Sequence, residues 1–400
     1  SEMCIRDRVE RIPCTKEFKE KVIKAYFGDS QVYYYDYAHM TKKELEEIIE
    51  TLDRDNNSLS DDASEEILKW HDDMKTECTK ALETAADVWT EATEYDSCDD
   101  FVGKIGDTWF HLQFSRPDDD NSVLSGIQSY PLDRCVKSVS DGDPDERSTK
   151  FDDGYVKQYY GPKSLKEYDT VRYLNGDFID GDLPVSDVNE ANISFDEAKK
   201  KAGDFMQAIG IESMIKTGES DCEWEGYNKT EDNVYKEGDV HRAIWGYALE
   251  YSLGADDVVY SKSLNVFDYS AYNKFCPMDC PGYETGSFNV NEYGVYRFDI
   301  AEPVSIVKKQ QKVELLPVSN IYKIARNELE SHPDKYIVEA DTQYRYLTLG
   351  YIRVKDSSDS QRFSYIPAWS LELLQRGEVE SCPVFVNAID GTVIEPEQIF

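Results

Sequence analysis

The chain has 400 residues, of which 40% are apolar, enough for two or three domains with cores of their own. A formal charge of −36 repels nucleic-acid phosphates and anionic membrane surfaces, which sets both aside as partners. The apolar runs fall well short of the roughly 18 residues that a membrane-spanning helix needs.

The first eight residues, Ser1 to Arg8, read SEMCIRDR, with no helical or alternating apolar period and no cap. Their back-translation matches the end of a transposase adapter used in sequencing libraries. They are therefore expected to be an adapter-derived scar that makes no packing contribution. On this reading the chain is a metagenomic reading frame, and its native start, with any signal peptide or lipid anchor, lies upstream.

Residues 9–190 form the expected N-terminal region, helical to about 100 and β-rich after that. In HMTKKELEEII, Thr41 is placed as an N-cap with Glu44 three residues on, the capping-box spacing. Leu45, Ile48, Ile49 and Leu52 follow at helical spacing. A longer helix is expected over SDDASEEILKWHDDMKTECTKALETAADVWTEA, residues 60–92. His71, beside Asp72 and Asp73, is expected on its solvated side. From about residue 100 the period becomes two, and in TWFHLQFS the residues Phe110, Leu112 and Phe114 take the apolar face. His111 lies between them and is expected to be exposed. Strands continue through GYVKQYYG and YDTVRYLNGDFI.

A capped helix is expected at 194–209, with Ser194 as N-cap, Glu197 as its box partner, and Phe195, Ala198, Ala202, Phe205, Met206 and Ile209 along one face. HRAIWGYALEYSL then places Tyr247, Leu249, Tyr251 and Leu253 on one strand face. SFNVNEYGVYRFDIAEPVSIVKKQQKVELL reads as strand, turn, strand, strand. The order repeats with a helix at 319–330 carrying Ile321, Ile324, Ala325 and Leu329. RFSYIPAWSLEL follows, with Phe363, Tyr365, Trp369, Leu371 and Leu373 on one face and Arg362, Ser364, Ser370 and Glu372 on the other. VFVNAIDGTVI closes as a hairpin around Asp390-Gly391. The fold class is α+β: a helical N-terminal region, then two helix-plus-antiparallel-sheet modules at 191–308 and 309–400.

With Cys4 set aside, only Cys276 and Cys280 are close, in FCPMDCPGY. The spacing is CxxxC, with no second pair or nearby His to complete a zinc site. A local disulfide and free thiols both remain open. Two acidic stretches come near a calcium loop. The first offers Asp53, Asp55, Asn57 and Asp61 but has Ser58 where glycine is required and Ser64 at the last ligand position. The second offers Asp141, Asp143, Asp145 and Asp152 with Glu146 at the glycine position. Solvated acidic turns are the default for both. In QVYYYDYAHM a strand would put Tyr33, Tyr35 and Tyr37 on one face, a candidate surface for a partner or a sugar. No catalytic, cofactor-binding or metal-ligating set is legible.

ISFDEAKKKAGDFMQAIGI resembles the helix that opens PepSY-type domains. LGYIRV, YIPAWSLEL and PVFVNAIDGTVI are similar to the closing strands of those domains and to the C-terminal half of the YycH/YycI regulatory ectodomains. Residues 190–400 as a whole resemble uncharacterised two-module lipoproteins of gut Clostridia. These motifs are structural and transfer no catalytic residue. The resemblance implies an extracytoplasmic, lipid-anchored, non-catalytic binding or regulatory protein of a Gram-positive bacterium. A protein partner at the cell surface ranks ahead of a glycan, with membrane contact only through the lost anchor and no cofactor. A carbohydrate-binding surface protein is the alternative. A hydrolase with an unrecognised carboxylate pair is third.

Overall fold

The computed structural model describes residues 7–58, 65–96, 98–106, 108–117, 122–132, 162–165, 170–174, 185–211, 214–227, 241–255, 258–259, 284–308, 313–333, 343–356, 359–374, 384–395 and 398. The expected strand at 154–161, the acidic stretch at 141–152 and the Cys276–Cys280 pair lie outside these residues. In chain order the elements are β1 (Asp7–Arg11), α1 (Lys16–Phe27), β2 (Val32–Tyr34), α2 (Lys42–Ser58), α3 (Glu65–Leu82), β3 (Asp100–Ile105), β4 (Thr108–Ser115), β5 (Gly126–Pro131), β6 (Thr170–Leu174) and β7 (Val185–Asn189). They continue with α4 (Phe195–Ile209), β8 (Met214–Tyr227), β9 (His241–Ala255), β10 (Val258–Val259), β11 (Thr285–Asn291), β12 (Gly294–Ala301) and β13 (Val304–Lys308). The chain ends with α5 (Val318–Ser331), β14 (Gln343–Asp356), β15 (Asp359–Leu374), β16 (Val384–Asn387) and β17 (Val393–Ile394). The fold is α+β, built on two sheets. No helix among the described residues is long and apolar enough to cross a membrane.

The larger sheet runs β2-β3-β4-β5-β12-β11-β9-β8-β6, with β7 and β10 attached to β9. β5 pairs with β12, Ile127 opposite Ile300, so the sheet is continuous across residue 190. Helices α1 and α4 share one core on it. Tyr26 of α1 and Phe205 of α4 both meet Phe298, with ring centroids 5.1 and 4.9 Å apart. The Tyr26 hydroxyl donates to the Tyr296 carbonyl at 2.7 Å, which satisfies the one polar atom that ring brings inside. The capping box of α4 forms as read, with Ser194 Oγ accepting from Glu197 N at 3.3 Å and Glu197 Oε2 accepting from Ser194 N at 2.9 Å.

The smaller sheet runs β13-β1-β15-β16-β17, with β14 along the other side of β15. Helix α5 covers it, joining Ile321, Ala325 and Leu329 to Leu371, Val384 and Val386, with Trp369 half-buried at the rim. Of the expected face, Leu371 and Trp369 pack here, whereas Phe363 and Tyr365 pack with Val9, Leu253, Val304 and Tyr351 away from α5. The opposite face of β15 is closed as well: Ser364 and Ser370 are buried, and Ile366 and Ala368 pack with Ile352, Phe385 and Ile394. The Asp390-Gly391 turn also forms as read, with Asp390 Oδ1 accepting from Thr392 N at 2.9 Å.

Three expectations are corrected here. Asp7 and Arg8 contribute to the fold: Asp7 pairs with Tyr365, and Arg8 with Ser364 and Lys308. Strand pairing uses backbone groups, so a segment with no side-chain period can still fill a central position between β13 and β15. Residues 9–100 are not uniformly helical, because β1 and β2 interrupt them; strands of three to five residues are too short to show a period. α3 ends at Leu82, about ten residues before the expected stop.

The two sheets meet in a closed ionic junction. Glu284, fully buried, accepts from Arg353 Nη1 at 3.1 Å and from the Tyr365 hydroxyl. Beside it Arg11 Nη2 lies 3.0 Å from Glu302 Oε2. Both guanidiniums sit over the Phe363 ring, Arg353 at 4.7 Å and Arg11 at 5.7 Å from its centroid. Burial pushes the Glu284 carboxyl above its ordinary value, and Arg353 pulls against that shift. Glu302 is raised for the same reason, opposed first by Arg11.

Candidate functional site

At the β2 end of the large sheet both faces are covered, but differently. The inner face carries Val32, Tyr34, Phe101, Phe110, Leu112 and Phe114 into the main core. On the outer face Trp89, Val102, Trp109 and Leu132 cluster, with Tyr33 and Tyr35 packed against them. The rings interlock edge to face: Trp89 and Trp109 at 4.9 Å, Tyr33 and Trp109 at 5.7 Å, Tyr35 and Trp89 at 5.9 Å. Trp89 Nε1 donates to Glu44 Oε2 at 2.8 Å. That same oxygen accepts from Thr41 N and Thr41 Oγ1, each at 2.9 Å, so the cap of α2 also anchors the aromatic layer.

Beside the rings runs a polar row set by strand register. Asp100, Gln113 and Gln128 are cross-strand neighbours, as are His111 and Tyr130. His111 Nε2 lies 2.9 Å from Asp100 Oδ1 and Nδ1 lies 2.6 Å from the Tyr130 hydroxyl. Gln113 Nε2 donates to the same Asp100 oxygen at 2.9 Å, and Gln128 Nε2 donates to Gln113 Oε1. Tyr35 closes over the His111 ring at 5.1 Å. His111 itself is buried at 6% exposure, while Tyr130 at the rim is 36% exposed.

Where β2 ends, a turn brings a third group together. His39 Nδ1 lies 2.5 Å from Asp36 Oδ1, and Cys98, on the segment leading into β3, completes a set of three ligand-type atoms within 4.8 Å of one another. Burial pushes the Cys98 thiol up to about 12, with the Asp100 backbone pulling it down. Burial likewise raises Tyr37, with Cys78 and Glu77 adding to it.

Tyr33 and Tyr35 therefore do reach one aromatic cluster, although β2 stops at Tyr34 and only Tyr33 of the two is in a strand. Tyr37 lies in the following turn, half-buried. His111 and His71 are both buried, at 6% and 8%, against the expectation of solvated positions. Trp109 and Gln113 share the face of His111, and that face is covered by the Trp89 and Tyr35 rings. His71 sits on the side of α3 that also buries Cys78, one helical face at i and i+7. α2 continues through Ser58, so the backbone at Asp53, Asp55 and Asn57 of the first acidic stretch is helical, while Asp61 and Ser64 lie outside the described residues. Cys98, Asp100, Trp89 and the two glutamines were missed because each is an ordinary residue until strand register places it.

No protein-family model matches the chain, and no curated protein matches it. An uncharacterised protein from Eubacterium rectale is similar at a TM-score of 0.38, with 12% identity, covering 98% of this chain and 86% of that one. The Bacillus megaterium YpeB C-terminal domain is similar at a TM-score of 0.24, with 8% identity, covering 96% of each chain.

Proposed function

We propose that the chain is a non-catalytic binding or regulatory protein that works outside the cytoplasm and meets a protein partner through the outer face of β2–β5. One observation carries this reading. An aromatic layer and a self-satisfied polar row lie side by side on the sheet face opposite the main core, with Tyr130 36% exposed at the rim. The Trp rings are buried, so the contact area is that of Tyr130 and the half-buried Tyr33 and Tyr35, held in place by the layer beneath and by pre-bonded polar groups. Both ring nitrogens of His111 are engaged, by Asp100 and Tyr130, which fixes the ring within the row. The charge of −36 favours a basic partner surface. The location and the lipid anchor rest on the resemblance of residues 190–400 to two-module lipoproteins of gut Clostridia.

A carbohydrate ligand is the second reading, favoured by planar rings next to the Gln113, Gln128 and Asp100 side chains. A photo-crosslinking residue at position 130, offered Gram-positive cell-envelope proteins, should give a discrete adduct. The same residue at position 293, where Tyr293 is 61% exposed on the β11–β12 turn, should give none. Equal adducts at both positions contradict the assignment of the face. Binding on a glycan array that disappears in Tyr130→Ala replaces the protein partner with a sugar.

A further inference from the structure

We infer that Asp36, His39 and Cys98 form a binding site for a divalent transition metal of zinc-like preference, seated between the end of β2 and the start of β3. One ligand atom from each lies within 4.8 Å of the other two. A thiolate, an imidazole and a carboxylate are the three ligand types zinc takes, at roughly 2.0–2.3 Å and near-tetrahedral angles. Those bonds place donors about 3.3–3.6 Å apart, so closing on an ion needs side-chain shifts of about 1 Å. Magnesium and calcium fit poorly, because both take oxygen ligands and the thiolate is soft.

Backbone bonds hold the two halves in position. The Asp36 carbonyl accepts from His39 N and from Met40 N, each at 3.0 Å, which keeps the Asp36 and His39 side chains on one side of a turn. Across from them, Cys98 Sγ lies 3.4 Å from Asp100 N and 3.0 Å from Asp100 O. Lys19, 1% exposed, donates to the Cys98 carbonyl at 2.7 Å and to the Tyr95 carbonyl at 3.0 Å, and pairs with Asp99 at 2.6 Å. The Tyr34 ring lies 4.6 Å from the His39 ring and limits its rotation. Such outer contacts are what fixes ligand orientation in metal sites.

The ion has a route in. The Asp36 and His39 side chains are 31% and 30% exposed, whereas Cys98 is 3% exposed. The thiolate would sit at the bottom and the fourth coordination position would face solvent. Three protein donors with one exchangeable position is the pattern of a metal that can trade a ligand, not of a closed structural site. The site does not depend on the partner-binding reading. It would fill whether or not the outer face meets a protein.

Cobalt(II) added to the reduced, metal-free full chain tests this directly. One equivalent should produce a near-ultraviolet sulfur-to-cobalt charge-transfer band together with visible bands of tetrahedral cobalt, and zinc should displace both. Cys98→Ser should lose the charge-transfer band, and His39→Gln should weaken zinc binding at least about tenfold. Absence of the band at one equivalent overturns the site. So does a band undiminished in Cys98→Ser, since other thiols of the chain would then be the ligands. Should Cys98→Ser not fold, His39→Gln decides from its half-exposed position: an unchanged zinc affinity there overturns the site equally.

Discussion

The ionic junction between the two sheets and the polar row on the outer face of β2–β5 use the same chemistry to opposite ends. Glu284, Arg353, Arg11, Glu302 and Tyr365 are all buried, from 0% to 8% exposed. They pair with one another where no partner molecule could reach them. The outer row has a buried His111 but ends at Tyr130, 36% exposed, and is flanked by half-buried tyrosines. A closed charge cluster can only fix how β1, β13, β14 and β15 sit against the end of the large sheet. A row that is bonded within itself and open at its rim is free to present a fixed surface. The two differ at the rim alone: Trp89, Val102, Trp109, Leu132 and His111 are as buried as the junction, and only the tyrosines around them reach the surface.

The largest expected effect tests the closed side. Glu284→Ala leaves Arg353 buried without its carboxylate and should cost about 3–5 kcal/mol, the usual penalty for breaking a buried pair from one side. Denaturant unfolding followed by tryptophan fluorescence measures it. A cost under about 1 kcal/mol would place the junction in the class of surface ion pairs and remove the contrast. Next comes an apolar standard. Trp369→Ala, at the rim of the α5 cluster, should cost about 3 kcal/mol, the low end for a Trp deletion because the ring is only half-buried.

The junction should also leave a signature in pH. Burial raises the folded values of Glu284 and Glu302, so the folded chain holds more protons than the unfolded one above the ordinary carboxylate range. Their contribution to stability is therefore fully present below the unfolded value and is lost as pH rises through the folded values. The melting temperature should rise on acidification from neutral toward the carboxylate range. That slope should be shallower in Glu284→Gln; equal slopes in the two proteins would assign the effect to the general charge of the chain. The smallest effect belongs to the open side. Tyr130→Phe removes the hydroxyl bonded to His111 Nδ1 at a rim that water can reach and should cost about 1 kcal/mol.

Much of the fold was legible because it is written in local patterns. Thr41–Glu44 and Ser194–Glu197 announced two helix starts, and both boxes form. Asp390-Gly391 announced the last hairpin, and the 321–325–329 spacing announced the face of α5. What was not legible depends on pairing across long separations. β5 meets β12 across more than 160 residues, and β1 enters a sheet whose other strands begin after residue 300. No local period encodes either. The candidate site shows the same divide. Tyr33 and Tyr35 stood out as a run, but Asp100, His111 and Tyr130 become one row only when β3, β4 and β5 are in register. Cys98, alone in its stretch of sequence, gains meaning only opposite Asp36 and His39.

The most direct test of the account compares the two regions in one experiment: urea unfolding of Tyr130→Ala beside Glu284→Ala, with the crosslinking assay at position 130 run in parallel. The account predicts that Tyr130→Ala costs about 1–2 kcal/mol, the loss of one hydrogen bond to the buried His111 ring and well short of Glu284→Ala. It also predicts that the outer-face adduct survives in Glu284→Ala under conditions where that variant remains folded. If Tyr130→Ala instead unfolds as readily as Glu284→Ala, the outer row is a folding element like the junction, and the reading of that face as a contact surface is contradicted.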